Sequence, residues 1–177
     1  MLGRYDNFPT IIHGIVRLLH QIPLPTLQQL LIASLHEING RKEPYEISVA
    51  DHPGTYQGEL SFEVGVAEGV YFNYLDNNEL NRLYESLSSK GLFGVLDFLI
   101  IVGYHYSRGG KKIALKFDRN ILRFIFYENM VELSLFNEKG IRRMPLDEFL
   151  NYVIKNLNQK IEKNDLPQLK VEHFRTL

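Results

Sequence analysis

The sequence predicts an α+β fold in which an antiparallel sheet, or two sheets, is covered by three helices. Three observations carry that expectation. Residues 111–136 alternate apolar and polar with a period of two, and three other stretches repeat apolar residues at helical spacing. The elements between 11 and 106 also fall in the order β-α-β-β-α-β of a ferredoxin-like unit, ahead of a β-meander and a long C-terminal helix.

The first strand lies within Ile11 to Ile22, with Ile12, Val16, Leu18 and Ile22 on one side, and Pro23 ends it. Thr26 followed by Gln29 reads as a capping box, and Leu27, Leu30, Leu31, Leu35 and Ile38 form a helical stripe that Asn39-Gly40 stops. A short strand over Tyr45 to Ala50 enters the loop Asp51-His52-Pro53-Gly54, and Glu59 to Leu75 reads as a hairpin turning at Glu68-Gly69. Asp76, with Glu79 three residues on, opens a second helix that Gly91 closes. The apolar run Phe93 to Tyr106 is read as a central strand because of its β-branched Ile100-Ile101-Val102 and its flanking glycines.

The meander is expected to have strands at 111–117, 122–127 and 130–136. A four-residue turn, Asp118 to Ile121, would set Phe117 opposite Leu122, and a two-residue turn at Glu128-Asn129, with Asn in left-handed geometry, would set Phe126 opposite Val131, Phe124 opposite Leu133 and Leu122 opposite Leu135. Pro145 opens the third helix, whose apolar stripe is Leu146, Phe149, Leu150, Val153, Ile154, Leu157 and Ile161. A second arrangement of the same elements is a curved sheet gripped by this helix. Residues 1–165 are expected to form a single globular domain, built of pattern modules 11–106 and 107–162, with 166–177 as a polar tail.

The chain has no cysteine, so thiolate metal sites, disulfides and thiol nucleophiles are excluded. Its first residues lack a signal-peptide core, and the apolar window Leu92 to Val102 is broken by Gly94 and Asp97, so the expected setting is cytoplasmic with no membrane partner. Net charge is only -1, but it is unevenly spread. Residues 43–81 carry eight acids and no Lys or Arg, whereas 108–143 carry nine basic residues and four acids. Mutual neutralisation within one domain is the first explanation for such a split, and a partner for one of the two segments is the second.

Six histidines are present, but none is spaced as a metal-ligand pair, so neither a metal nor another cofactor is expected. Asp51 and His52 in a Pro-Gly loop, with His105 on the central strand, are the catalytic candidates, though adjacent loop residues rarely point at one another. Arg108-Gly109-Gly110-Lys111-Lys112 lacks the spacing of a phosphate loop. On the outer face of the meander the expected register pairs Lys116 with Arg123, a like-charge pair that calls for compensation and whose removal would stabilise the fold. With Arg108, Lys111, Lys112 and Tyr127 these residues form a basic strip suited to a nucleic-acid backbone, while Ile125, Tyr127 and Met130 suit protein contact. The expected function is therefore a non-enzymatic binding or assembly module, a homo-oligomer or complex subunit whose partner is itself or another protein. Nucleic-acid binding through the basic strip, and a small-molecule site or enzyme at the Asp51-His52 loop, are the alternatives.

Overall fold

A computed structural model describes residues 1–50 and 52–177. Its elements run β1 (Gly14–Leu19), α1 (Leu24–Ile38), β2 (Lys42–Ser48), β3 (Thr55–Glu68), β4 (Tyr71–Tyr74), α2 (Asn77–Lys90), β5 (Val95–Arg108), β6 (Lys111–Ala114), β7 (Asp118–Phe126), β8 (Met130–Lys139), α3 (Leu146–Lys163) and β9 (Lys170–Thr176). Among the described residues the fold is α+β with three helices and one antiparallel sheet, of order β2-β3-β5-β7-β8-β1-β9, to which β4 adds on β3 and β6 on β5.

The ferredoxin-like expectation does not match this order. That unit interleaves its strands around a central β1, whereas here β2, β3, β5, β7 and β8 lie side by side in chain order, and β1 sits between β8 and β9 at the far side from β2. The long strand β5 decides this. β5 uses one edge for β3 and the other for β6 and β7, leaving no edge for β1.

The inner face is built by alternation. Leu60, Phe62, Val64 and Val66 of β3, Leu96, Phe98, Ile100 and Val102 of β5, Leu122 and Phe124 of β7, and Val131, Leu133 and Leu135 of β8 are all buried on one side. The α3 stripe covers them, and its seven buried residues are those given by the helical spacing. Leu150 of α3 comes so close to β1 that a Cβ on Gly14 would lie 3.0 Å from its Cδ1, while Tyr152 stacks on Phe62 of β3 at 4.8 Å. The helix therefore crosses the sheet from β1 to β3, and α1, with Leu27, Leu31 and Leu35 buried, packs beside it.

Several local expectations are corrected. Helix α1 starts at Leu24 with Pro25 in its first turn and no side-chain cap, so Thr26 is already helical. The β3–β4 turn is Gly69-Val70, one residue later than expected, with Glu68 opposite Tyr71. Residues 170–176 of the supposed polar tail form β9, which pairs with β1; as an edge strand with a bulge near Glu172, it lacks the alternation that marks a half-buried strand. The run 93–106 is a strand, as expected, and α2 is capped by the Asp76 carboxylate accepting from the Glu79 N–H at 3.0 Å.

Residues 1–8, for which the sequence offered no pattern, fill the gap where β3 leaves β5 to pair with β4. The Gly3 N–H donates to the Ala67 carbonyl at 2.7 Å, and the Gly3 carbonyl accepts from the Asp97 N–H at 2.7 Å. Among the described residues, no helix is long and apolar enough to cross a membrane.

Candidate functional site: the basic end of the sheet

The meander differs from expectation at one junction, and that junction shapes the surface. β6 does not hairpin with β7. Instead it pairs with the end of β5 across Gly109-Gly110, with Arg108 opposite Lys111 and His105 opposite Ala114, and β7 resumes along the same edge with Asp118 opposite Val102. Three residues, 115–117, thus face two, 103 and 104, so β6 and β7 are one strand interrupted by a bulge. The polar triplet Asp118-Arg119-Asn120, read as a turn, lies inside β7.

Buried hydrogen bonds hold it there. The Tyr104 hydroxyl donates to Asp118 Oδ2 at 2.5 Å and accepts from the Met144 N–H at 2.8 Å. Asp118 Oδ1 accepts from the Arg142 N–H at 2.9 Å, and Asn120 Oδ1 accepts from Asn137 Nδ2 at 2.9 Å. Burial, and then the bond to the Asp118 carboxylate, push the Tyr104 hydroxyl well above its ordinary range, so it stays a proton donor. The network ties the β8–α3 loop to the sheet. His13 joins it, its Nδ1 accepting from the Asn137 N–H at 2.9 Å and its ring stacked on Phe136 at 5.0 Å.

Lys116 and Arg123 are not a pair. Arg123 stands opposite Asp97 of β5 and bonds it twice, at 2.8 and 2.7 Å. Asp97 is 0% exposed and also accepts from the Tyr5 N–H at 2.7 Å, while the Phe8 ring lies 4.2 Å from the Arg123 guanidinium. Arg123 is thus locked under the N-terminal segment, and a lone carboxylate in a buried apolar strand was the signal that it needed a cation across the ladder. Removing Arg123 should destabilise the fold, contrary to the like-charge argument.

The single strip expected on the outer face separates into two patches, with about 35 Å of strand between Lys116 and Tyr127 at ~3.3 Å per residue. At one end lie Arg108, Lys111 and Lys112 on the β5–β6 hairpin, Lys116 on the bulge, Arg119 at the start of β7 and Lys139 at the end of β8. Lys112 is paired with Glu59 at 3.4 Å and Arg119 with Glu138 at 3.3 Å; among the described residues no ion pair engages the other four. At the other end Tyr127, 47% exposed, stands near Met130 and Ile125, and Leu19 of β1, 43% exposed and opposite Met130, adds to that apolar patch.

Among the described residues, the acids of the segment 43–81 are mostly not paired with the basic end. Glu68 takes two bonds from Arg82, at 2.6 and 2.5 Å, and one from Asn73, which together bring its carboxyl down to about 2. Asp76 caps α2 and Glu43 accepts from the Tyr152 hydroxyl. Lys112–Glu59 is the one ion pair joining the two segments among the described residues.

The two described catalytic candidates, His52 and His105, are not brought together. Asp51 lies outside the described residues. The His52 ring packs against Tyr56 at 4.2 Å, and Tyr56 against Tyr106 at 4.8 Å, both pairs tilted by 35°, which places His52 on the inner side of the sheet. His105, the neighbour of Tyr106 along β5, projects to the outer side. Nor does His13 approach His105, because β7 and β8 separate their strands. Among the described residues no three His, Asp or Glu side chains gather as a metal site.

Phe117 was missed by sequence reasoning. Alternation from Ile113 assigns it to the core, but it is 41% exposed on the bulge, with Lys139 Nζ 5.4 Å from its ring centroid and Lys116 next to it in the chain. No protein-family model, curated protein or solved structure matches this chain.

Proposed function

We propose that the protein is a non-enzymatic binding module that takes a polyanionic partner on the basic end of its sheet. The observation that supports this most is the absence, among the described residues, of carboxylates within ion-pair reach of Arg108, Lys111, Lys116 and Lys139, although the chain as a whole is nearly neutral; Glu59 and Glu138, the acids paired at that end, are taken by Lys112 and Arg119. Cations gathered at one end raise the local concentration of an anionic ligand and release its counterions on contact. The polar groups around Tyr104, Asp118 and Asn137 are occupied with one another and with the β8–α3 loop, which is the economy of a scaffold. Binding of inorganic polyphosphate is expected at low ionic strength and should weaken steeply with salt. Replacing Lys111 and Lys116 with Gln should flatten the log–log salt dependence by about one unit or more. Salt-insensitive binding, or a slope unchanged in the double variant, would remove this reading.

Self-assembly is a second reading, supported by the apolar patch of Leu19, Ile125, Tyr127 and Met130 at the opposite end. The two sheet edges are poor sites for it, since β2 carries Pro44 along with the charged Lys42, Glu43 and Glu46, and β9 is bulged. If the patch joins two copies, Ile125→Glu should convert the protein to a smaller species in sedimentation. A wild-type monomer would end that reading without touching the first.

A further inference from the structure

We propose that Phe117 is a base-stacking platform and that the polyanion is a single-stranded nucleic acid, an inference that rests on the polyanion reading above. Period-two alternation through Ile113 and Leu115 would turn Phe117 inward, and Leu115 does pack against the core. The extra residue of the bulge instead gives the inner position to Asp118 and turns Phe117 outward. The bulge thus re-aims an aromatic ring from the core to the surface.

The place it reaches is specific. Lys139 lies over the ring at 5.4 Å, Lys116 precedes it in the chain, and the Phe117 carbonyl packs so close to Gly140 that a Cβ there would lie 2.8 Å from it. That contact fixes the backbone beneath the ring. Gly140 also has φ +113, so a glycine is required on both counts. A partly exposed ring on a fixed backbone, with one cation over it and another next to it in the chain, offers two complementary contacts: a π-face for a base, and ammonium groups for the phosphates on either side. A chain of phosphates alone has no use for the ring, and a duplex keeps its bases stacked inside. A single strand uses both contacts.

The test compares a labelled oligothymidylate of about twelve nucleotides, within the usual site size, with an abasic strand of equal length. Phe117→Leu keeps the bulk of the side chain and removes its π-face. It should weaken the thymidylate strand about tenfold while leaving the abasic strand and the salt slope unchanged. Lys111→Gln with Lys116→Gln should weaken both strands alike. The chain contains no tryptophan, so Phe117→Trp places a single indole at the site, and its fluorescence should be quenched by the thymidylate strand only. Equal affinity for the two strands, an unaffected Phe117→Leu variant, or a duplex bound as tightly as the single strand would each overturn the stacking proposal and leave the polyanion reading standing. Polyphosphate binding with no binding of either strand would do the same. No binding of polyphosphate or of either strand would overturn both.

Discussion

At its last residues β7 turns into β8 through Glu128 and Asn129, and the pairs Phe126 with Val131, Phe124 with Leu133 and Leu122 with Leu135 follow from alternation and turn length alone. At its first residues, Asp118 to Asn120, the same strand runs through a polar triplet held by partners 14 to 24 residues away, among them Tyr104, Asn137 and Arg142. The contrast shows what a local pattern can carry. Where a strand is fixed by its own apolar period, the period is enough. Where it is fixed by hydrogen bonds to distant loops, polar residues inside a strand look like a turn.

Breaking the network at the start of β7 should have the largest effect. Asp118 is buried, and Asp118→Ala would leave the Arg142 N–H without its acceptor and the Tyr104 hydroxyl without its carboxylate. Losing two bonds to a buried charged group should cost about 2–4 kcal/mol, read from denaturant unfolding. Hydrogen exchange at the Arg142 and Met144 amides should also quicken, because both are held by this network. A loss below about 1 kcal/mol would mean that the start of β7 is held by its ladder bonds, as its other end is.

The same contrast sets how much of the molecule was legible. The α3 stripe, the cap of α2, the central strand β5 and the β7–β8 register all obey a local period or a capping rule, and each lies where its residues put it. The strand order was not legible, because it depends on which edge of β5 is taken, and that depends on a bulge of one residue. β9 was not legible because an edge strand has little burial to impose a period. Of the basic residues, Arg108, Lys111 and Lys116 stay on the surface as expected. Arg123 is withdrawn by Asp97, and Phe117 takes a place on the surface that alternation gave to the core.

A smaller effect is expected from pH, again at the start of β7 and not at its turn. Burial, and then the nearby Arg142 guanidinium, lower the affinity of His13 for a proton below its ordinary value near 6.5. The unfolded chain therefore binds more protons than the folded one in the window just below pH 6.5, so stability rises with pH there and is lost as pH falls through the folded-state value. Protonated Nδ1 has no lone pair left for the Asn137 N–H. Unfolding measured at pH 7.5 and 5.5 should show a larger drop for the wild type than for His13→Gln. Equal drops would assign the acid sensitivity to other groups.

The smallest effect is expected at the turn itself. The register of the β7–β8 hairpin is as the sequence reads, but the reason differs, since Asn129 does not adopt a left-handed conformation: among the described non-glycine residues only Arg142 and Asp165 have positive φ. The turn is held from outside. The His20 N–H donates to the Asn129 carbonyl at 3.0 Å, and the His20 ring, buried with Nδ1 accepting from the Ile22 N–H at 3.2 Å, presents Nε2 to the Tyr127 carbonyl at 3.3 Å. With Nδ1 used as an acceptor, Nε2 must carry the proton, so the ring is a donor to Tyr127. What Asn129 contributes is therefore its backbone carbonyl, which any residue supplies. Asn129→Ala should change stability by less than about 0.5 kcal/mol in denaturant unfolding. A left-handed Asn129 would make the same change cost about 1–2 kcal/mol, and a loss of that size would show that the turn is set by its own residues after all.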